Sequence, residues 1–249
     1  MTYFWALYAR EVKRFQKLWL DTIFSPIVSM ILYLAVFGVV TGTRTVGDHT
    51  YLSFVYTGLL GMIMVNSCFS NPSFALIIAK NVGNIIDLQL APIKPWKVGI
   101  AYASAALTRG FFTICFSALL TAWFVPGLTL VHPFLLVGVI VLNGLVFGML
   151  GVVFGMWAKN FEALTFITTF VLQPMIFLAG VFYPVAGLPY PWSLVSLFNP
   201  LHHTINLVRY SFLGYADVNP LISLVVVVGI GLVLFGLMQR FTRKALRME

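Results

Sequence analysis

The sequence predicts an all-α polytopic membrane protein. Six transmembrane helices follow an N-terminal interfacial helix, with a short cytoplasmic helix between spans two and three and a re-entrant extracytoplasmic hairpin between spans five and six. Three observations carry this reading. Hydrophobic residues make up 60% of the 249 and charged ones 9%, with a mean hydropathy of +0.97, which leaves too little polar surface for a water-soluble chain of this length. Apolar runs of about 18 residues or more recur, each long enough to cross a hydrocarbon core about 30 Å thick. The runs are continuous rather than alternating, so helices and not barrel strands satisfy the backbone inside them.

Taken in order, residues 1–20 read as an amphipathic helix and 21–249 as one six-helix domain. Phe4, Tyr8, Val12, Phe15 and Trp19 fall on one side of the first helix, with Arg10, Lys13, Arg14 and Lys17 opposite. That pattern suits a helix lying among the headgroups of an anionic leaflet. The first span is expected over Thr22–Val40, followed by a short loop, Thr41–Thr50. The second, Tyr51–Ala79, carries Asn66, Ser67, Ser70, Asn71 and Pro72, and a span this polar should face protein or a water-filled path.

Next comes a polar interruption, Asn81–Lys97. Asn84 is placed to cap a small helix with Asp87 in its first turn, Ile86, Leu90 and Ile93 share a face, and Pro92 and Pro95 end the element. Apolar residues on a short helix outside the spans suit either the bilayer surface or a docking partner. The third span, Val98–Val125, holds Arg109. An arginine there costs about 2.5–3.5 kcal/mol to insert, so it is expected to pair with a helix-end carbonyl or an acidic group, with a contact to substrate as the alternative.

Pro126–His132 is a tight turn. The fourth span, Pro133–Trp157, contains Gly144-x-x-x-Gly148 and Gly151-x-x-x-Gly155, which fit close helix packing either within the chain or between two copies. Ala158–Ala163 is a polar turn. The fifth span, Leu164–Phe182, has Thr169 and the pair Gln173–Pro174, where proline permits a kink. Tyr183–Gly214 is broken by Pro184, Pro189 and Pro191, yet it stays apolar. Asn199–Pro200 is a helix start and Gly214 a helix stop. The intervening helix is too short to cross, so 183–214 reads as a hairpin dipping into the outer leaflet. The last span is Leu221–Met238, with a basic tail to Glu249.

Charge sets the orientation. With both tails on one side, that side holds Arg10, Lys13, Arg14, Lys17, Lys80, Lys94, Lys97, Lys159, Arg240, Arg243, Lys244 and Arg247, and the other only Arg44 and Arg209. The basic side is cytoplasmic. The net charge of +8 is explained by this bias, and no nucleic-acid partner is implied. Cys68 and Cys115 sit in apolar runs and read as small core residues without disulfide or metal spacing. His202 and His203 are adjacent, a poor metal pair on a helix, and are expected at the outer interface, titrating freely. The chain contains no G-x-x-x-x-G-K-[ST] phosphate loop, no serine elbow and no acidic relay inside the spans, so it reads as a non-enzyme without metal or cofactor of its own.

Three stretches carry a resemblance to a known family: Asn84-Ile85-Ile86-Asp87-Leu88-Gln89-Leu90-Ala91-Pro92, then Gly180-Val181-Phe182-Tyr183-Pro184 followed by Leu188-Pro189, and Phe198-Asn199-Pro200-Leu201 through Arg209. With the six-span layout, the chain resembles the permease subunits of type-2 ATP-binding-cassette (ABC) transporters, of the nodulation lipo-oligosaccharide and daunorubicin exporter type. The short loop Thr41–Thr50 departs from branches bearing a large extracellular domain there. The resemblance implies a homodimer in a bacterial inner membrane, bound by two copies of a soluble ATPase that holds the ATP and Mg. Asn84, Ile85, Asp87, Leu88, Ala91 and Pro92 would form the coupling helix. Asn66, Ser67, Ser70, Thr169 and Gln173 would line the translocation path. Gly180, Tyr183, Pro184, Asn199, Pro200 and Arg209 would build the outer gate. A lipid, lipid-linked glycan or amphipathic drug suits such a path, and a channel or secondary carrier is the alternative.

Overall fold

Long apolar helices dominate because these runs have no other way to pair their backbone groups. The computed structural model describes residues 2–17, 19–41 and 44–246. Helix α1 (Thr2–Lys17) precedes α2 (Ser25–Thr41), and a two-residue-strand hairpin, β1 (Thr45–Val46) and β2 (His49–Thr50), leads into α3 (Tyr51–Asn81). A small helix α4 (Ile85–Leu90) connects to α5 (Pro95–Thr121), and α6 (Pro133–Trp157), α7 (Phe161–Ile167) and α8 (Gln173–Leu178) follow. Two short helices, α9 (Trp192–Phe198) and α10 (Pro200–Leu213), precede α11 (Pro220–Leu246). Six segments among the described residues are long and apolar enough to span: 22–39, 51–81, 95–124, 133–157, 161–178 and 220–246.

Helix α3 is the axis of the bundle. Phe54, Tyr56, Leu59, Leu60, Met64, Phe69, Leu76 and Ile77 on it are all fully buried, packed by α2, α5, α6 and α10. Glycine permits the tightest of these approaches. On α6, Gly144 and Gly148 face α5, where a Cβ at Gly148 would stand 2.9 Å from the Ala103 carbonyl oxygen. Gly151 and Gly155 face α3, where a Cβ at Gly155 would stand 2.9 Å from Ser73 Cα. The small-residue stripe is therefore spent on packing within the chain. Gly155→Leu is expected to lower the unfolding temperature by the equivalent of about 1–3 kcal/mol of overpacking. Gly229→Leu on α11, where a Cβ meets nothing within 4 Å, should leave it unchanged. Equal effects in a thermal melt of the two purified variants would refute this assignment.

Pro26 and Pro174 each sit just after a widened turn. A π-helical turn, Leu20–Phe24, enters α2 just ahead of Pro26, and another, Thr168–Leu172, joins α7 to α8 ahead of Pro174. Proline removes an N–H and crowds the preceding carbonyl, and an extra residue in the turn relieves both. Three expectations need correction. The fifth span ends at Leu178 rather than Phe182, because Gly180 turns the chain at φ +79. The tail is helical through Leu246, so Arg240, Arg243 and Lys244 extend the last span, while Arg247 lies outside the described residues. Cys115 faces outward and only Cys68 belongs to the core.

Candidate functional site

At one end of the bundle α1 is bonded to both α3 and α5. Tyr8 shares a hydrogen bond of 2.8 Å with Thr108, Arg10 donates to the Tyr102 hydroxyl at 3.0 Å, and Arg14 donates to the Asn71 backbone and side-chain oxygens at 3.1 Å each. These bonds lay α1 across α5 and α3. Its inner face also buries Leu7, Phe15 and Glu11, the last held by Arg10 at 3.3 Å and Arg14 at 3.0 Å. Arg14 thus turns inward, away from the polar face on which sequence spacing put it. From Asn71 to the end of α3 at Asn81, ten residues rising 1.5 Å each carry the chain about 15 Å further. Gly83, at φ +84, then reverses it into α4.

Helix α4 differs in detail from expectation. The Asn84 side chain makes no capping hydrogen bond, and the turn is closed by Ile86 N–H to the Gly83 carbonyl at 3.2 Å. Leu88 is buried against the bundle, so it is not available to a partner, and Ile85 and Ala91 are half-buried. Asn84, Ile86, Asp87, Leu90 and Pro92 face outward, with Ile86 53% and Leu90 67% exposed. The helix is tied to its neighbours: Gln89 Nε2 donates to the Ala245 carbonyl near the end of α11 at 3.1 Å. Close by in sequence, Lys80 Nζ donates to the Met156 and Ala158 carbonyls at 2.6 and 2.8 Å, a cation on the unpaired carbonyls at the end of α6. A displacement of α4 is thereby linked to α3, α6 and α11 together.

The other end, marked by the β-hairpin, holds a buried polar network built on α10. Asn199 accepts from Leu201 N–H at 3.0 Å, Pro200 opens the helix, and Gly214 closes it at φ +69, all as the spacing predicts. Arg209 is wholly buried. It donates to Asp217 Oδ2 at 2.9 Å and to the Gly180 carbonyl at 2.7 Å, and its guanidinium lies 3.6 Å from the Phe54 ring centroid. Asn206 braces the Asp217 loop, accepting from Asp217 N–H at 2.8 Å and donating to the Val218 carbonyl at 2.7 Å. Tyr215 donates to Asp217 Oδ1 at 3.1 Å, and burial, with that carboxylate beside it, raises the phenol's pKa and keeps it protonated. Asn199 Nδ2 donates to the Met175 carbonyl at 2.6 Å and Tyr183 to the Phe177 carbonyl at 2.8 Å, while Tyr51 donates to the Phe182 carbonyl.

His202 and His203 belong to the same network. His202 Nδ1 lies 3.1 Å from the Ala179 carbonyl, and His203 meets Ser223 Oγ at 3.0 Å and the Leu197 carbonyl at 2.9 Å. Both are buried, which corrects the expectation of freely titrating interfacial histidines: α10 is enclosed by α3, α6 and α11 rather than lying at the rim. Sequence reading missed Asp217, Asn206 and Ser223 here. The one available signal was an isolated acid shortly after the helix stop that follows Arg209.

Of the residues assigned to a path, Asn66, Ser67 and Ser70 are brought together. They line a cavity of about 310 Å³ between the start of α2, α3 and α5, along with Thr22, Ser25, Ser29 and Arg109. Ser67 Oγ is 3.3 Å from Thr113 Oγ1. Thr169 and Gln173 do not join them. Thr169 is exposed on the π turn and Gln173 half-buried at the start of α8. The expected partner for Arg109 is absent: among the described residues its side chain forms no ion pair or hydrogen bond, and Nε is buried without one.

The described residues thus hold six helices long and apolar enough to span a membrane, with short helices at both ends of the bundle. The chain is 32% identical to the inner membrane transport permease YadH of Escherichia coli K12 over 94% of each chain. It is 27% identical to nodulation protein J of Rhizobium leguminosarum bv. trifolii over 86% of this chain and 82% of that one. Nodulation protein J of Rhizobium meliloti is likewise 27% identical, over 84% and 80%. Residues 2–213 match the family described as ABC-2 type transporter, and the chain belongs to that family.

Proposed function

We propose that this chain is the permease subunit of an ABC exporter in a bacterial inner membrane, moving a lipid-like, lipid-linked glycan or amphipathic cargo outward. Two copies pair in the membrane, and a soluble ATPase binds each from the cytoplasm. The observation that carries the reading is α4: a short helix past the end of α3, presenting Ile86, Asp87 and Leu90 while its Leu88 anchors it inward. Exposed apolar side chains beyond the membrane layer suit burial in a protein groove. Both tails and α4 lie on the lysine- and arginine-rich side, which supports a cytoplasmic placement.

In this reading ATP closes the ATPase dimer and displaces α4. The bonds from Gln89 to α11 and from Lys80 to the end of α6 spread that displacement over the spans. The α9–α10 hairpin forms the outer gate, with Gly180, Tyr183, Pro184, Asn199, Pro200 and Arg209 as its frame.

Reconstitution tests the reading against a channel or secondary carrier. In proteoliposomes holding the chain and its ATPase, cargo is expected to move against its gradient only with ATP and Mg present. Uphill movement by the chain alone, under an ion gradient and without nucleotide, would overturn it.

A further inference from the structure

The Arg109 cavity pairs an unneutralised cation with hydroxyl and amide groups at one definable depth. Thr108 and Asn71, which bind α1, are the sequence neighbours of Arg109 and Ser70, so the cavity adjoins the layer in which α1 lies. A helix with tryptophan and basic residues marks the headgroup region, and on the cytoplasmic orientation proposed above this is the inner leaflet. A second cavity, of about 400 Å³, lies against α1 and is lined by Arg10, Lys13, Arg14 and Lys17 with the single carboxylate of Glu11, so an excess of cations gives the approach a positive potential. Next in sequence to the cavity-lining Ser25, Pro26 and Ser29, the turn before α2 exposes Phe24 and α2 exposes Val28 and Leu32, an apolar track suited to acyl chains.

We infer that this cavity receives the phosphate of an anionic lipid headgroup from the cytoplasmic leaflet. The Arg109 guanidinium pairs with the phosphate, Ser67, Ser70 and Asn66 supply hydrogen bonds, and the acyl chains run along α2. A planar guanidinium matches phosphate oxygens two at a time, and such charge-assisted bonds are about twice as strong as neutral ones. The orphaned Nε and the absence of an acidic partner among the described residues are accounted for by a ligand that brings the negative charge with it. The exposed track on α2 selects a lipid over a free ion. The inference deepens the exporter reading by naming the chemistry of the cargo, but binding requires neither nucleotide nor ATPase.

Calorimetric titration of the purified full chain in neutral detergent tests it, with dioctanoyl phosphatidylglycerol, dioctanoylglycerol and inorganic phosphate as probes. Phosphatidylglycerol is expected to bind. Arg109→Gln should weaken it at least about tenfold, since each tenfold corresponds to 1.4 kcal/mol, and Arg109→Lys should fall between. Dioctanoylglycerol, lacking phosphate, should not bind measurably. Should Arg109→Gln fail to fold, Asn66→Leu keeps the cation, removes a polar wall and should weaken binding several-fold.

Binding unaffected by these substitutions overturns the inference. So does inorganic phosphate binding as tightly as the lipid with the same Arg109 dependence, which would assign a free anion. Because the readout is binding alone, Arg109-dependent binding without ATP-driven export sinks only the exporter reading. Export with Arg109-independent binding sinks only this one.

Discussion

Ile86→Arg and Leu90→Arg are each expected to abolish copurification with the ATPase while leaving the spans folded. Both side chains are more than half exposed in the chain alone, so replacing them removes little internal packing. In the complex each would be covered, and losing a buried large aliphatic side chain costs about 1.5–3 kcal/mol. Placing an unpaired cation in the same groove adds a desolvation penalty. Together these correspond to a loss of roughly 100-fold or more in affinity, at 1.4 kcal/mol per tenfold. Asp87→Arg is expected to act in the same direction by reversing a charge on the same face.

Leu88→Arg serves as the contrast. Leu88 is buried, so the substitution should lower the unfolding temperature of the isolated chain as well as binding. The measurement is a pull-down with the ATPase set beside a melting curve for each variant. Ile86→Arg and Leu90→Arg proteins that bind and stimulate the ATPase normally would exclude α4 as the contact.

The second large effect is expected at Arg209. Arg209→Met leaves the Asp217 carboxylate buried without its cation, and breaking one side of such a pair costs about 3–5 kcal/mol. For a chain of this size that corresponds to a fall of roughly 6–20 °C in the unfolding temperature. The double variant, Arg209→Met with Asp217→Asn, removes the stranded charge and should recover a good part of the loss. A double variant no more stable than the single would mean that the Gly180 carbonyl and Phe54 ring contacts, rather than the ion pair, carry the stability. Under the proposed gate role the arginine also bears on transport: its pair with Asp217 ties α10 to the loop before α11, and its bond to the Gly180 carbonyl ties α10 to the turn after α8, so these segments form one unit. Any opening there must move that unit as a body or break a buried pair.

The stretches that were legible in the sequence are those whose physics is local. The span Pro133–Trp157 and the helix Pro200–Leu213 were placed from hydrophobic length, an asparagine–proline start and a glycine stop, and the structure agrees at each of these ends. Asn66, Ser67 and Ser70 were grouped because they recur on one helix, and they do share a cavity. Thr169 and Gln173 follow from the resemblance and from their polarity, and within one chain they lie apart from that cavity, because polarity does not say which way a span faces.

The sequence by itself determined that this chain has six runs long and apolar enough to cross a membrane, which family it belongs to, and where the short helix Pro200–Leu213 begins and ends. Hydrophobic length, proline and glycine act within a few residues of themselves, so they can be read without neighbours. Only the tertiary structure decided which polar groups are partnered. It turned Leu88 inward and Ile86 and Leu90 outward, buried two histidines expected in water, gave Arg209 an aspartate from beyond its helix and left Arg109 facing a cavity. The cost of an unpaired charge or donor depends on what the rest of the fold brings to it, and that is set by contacts between segments far apart in the chain.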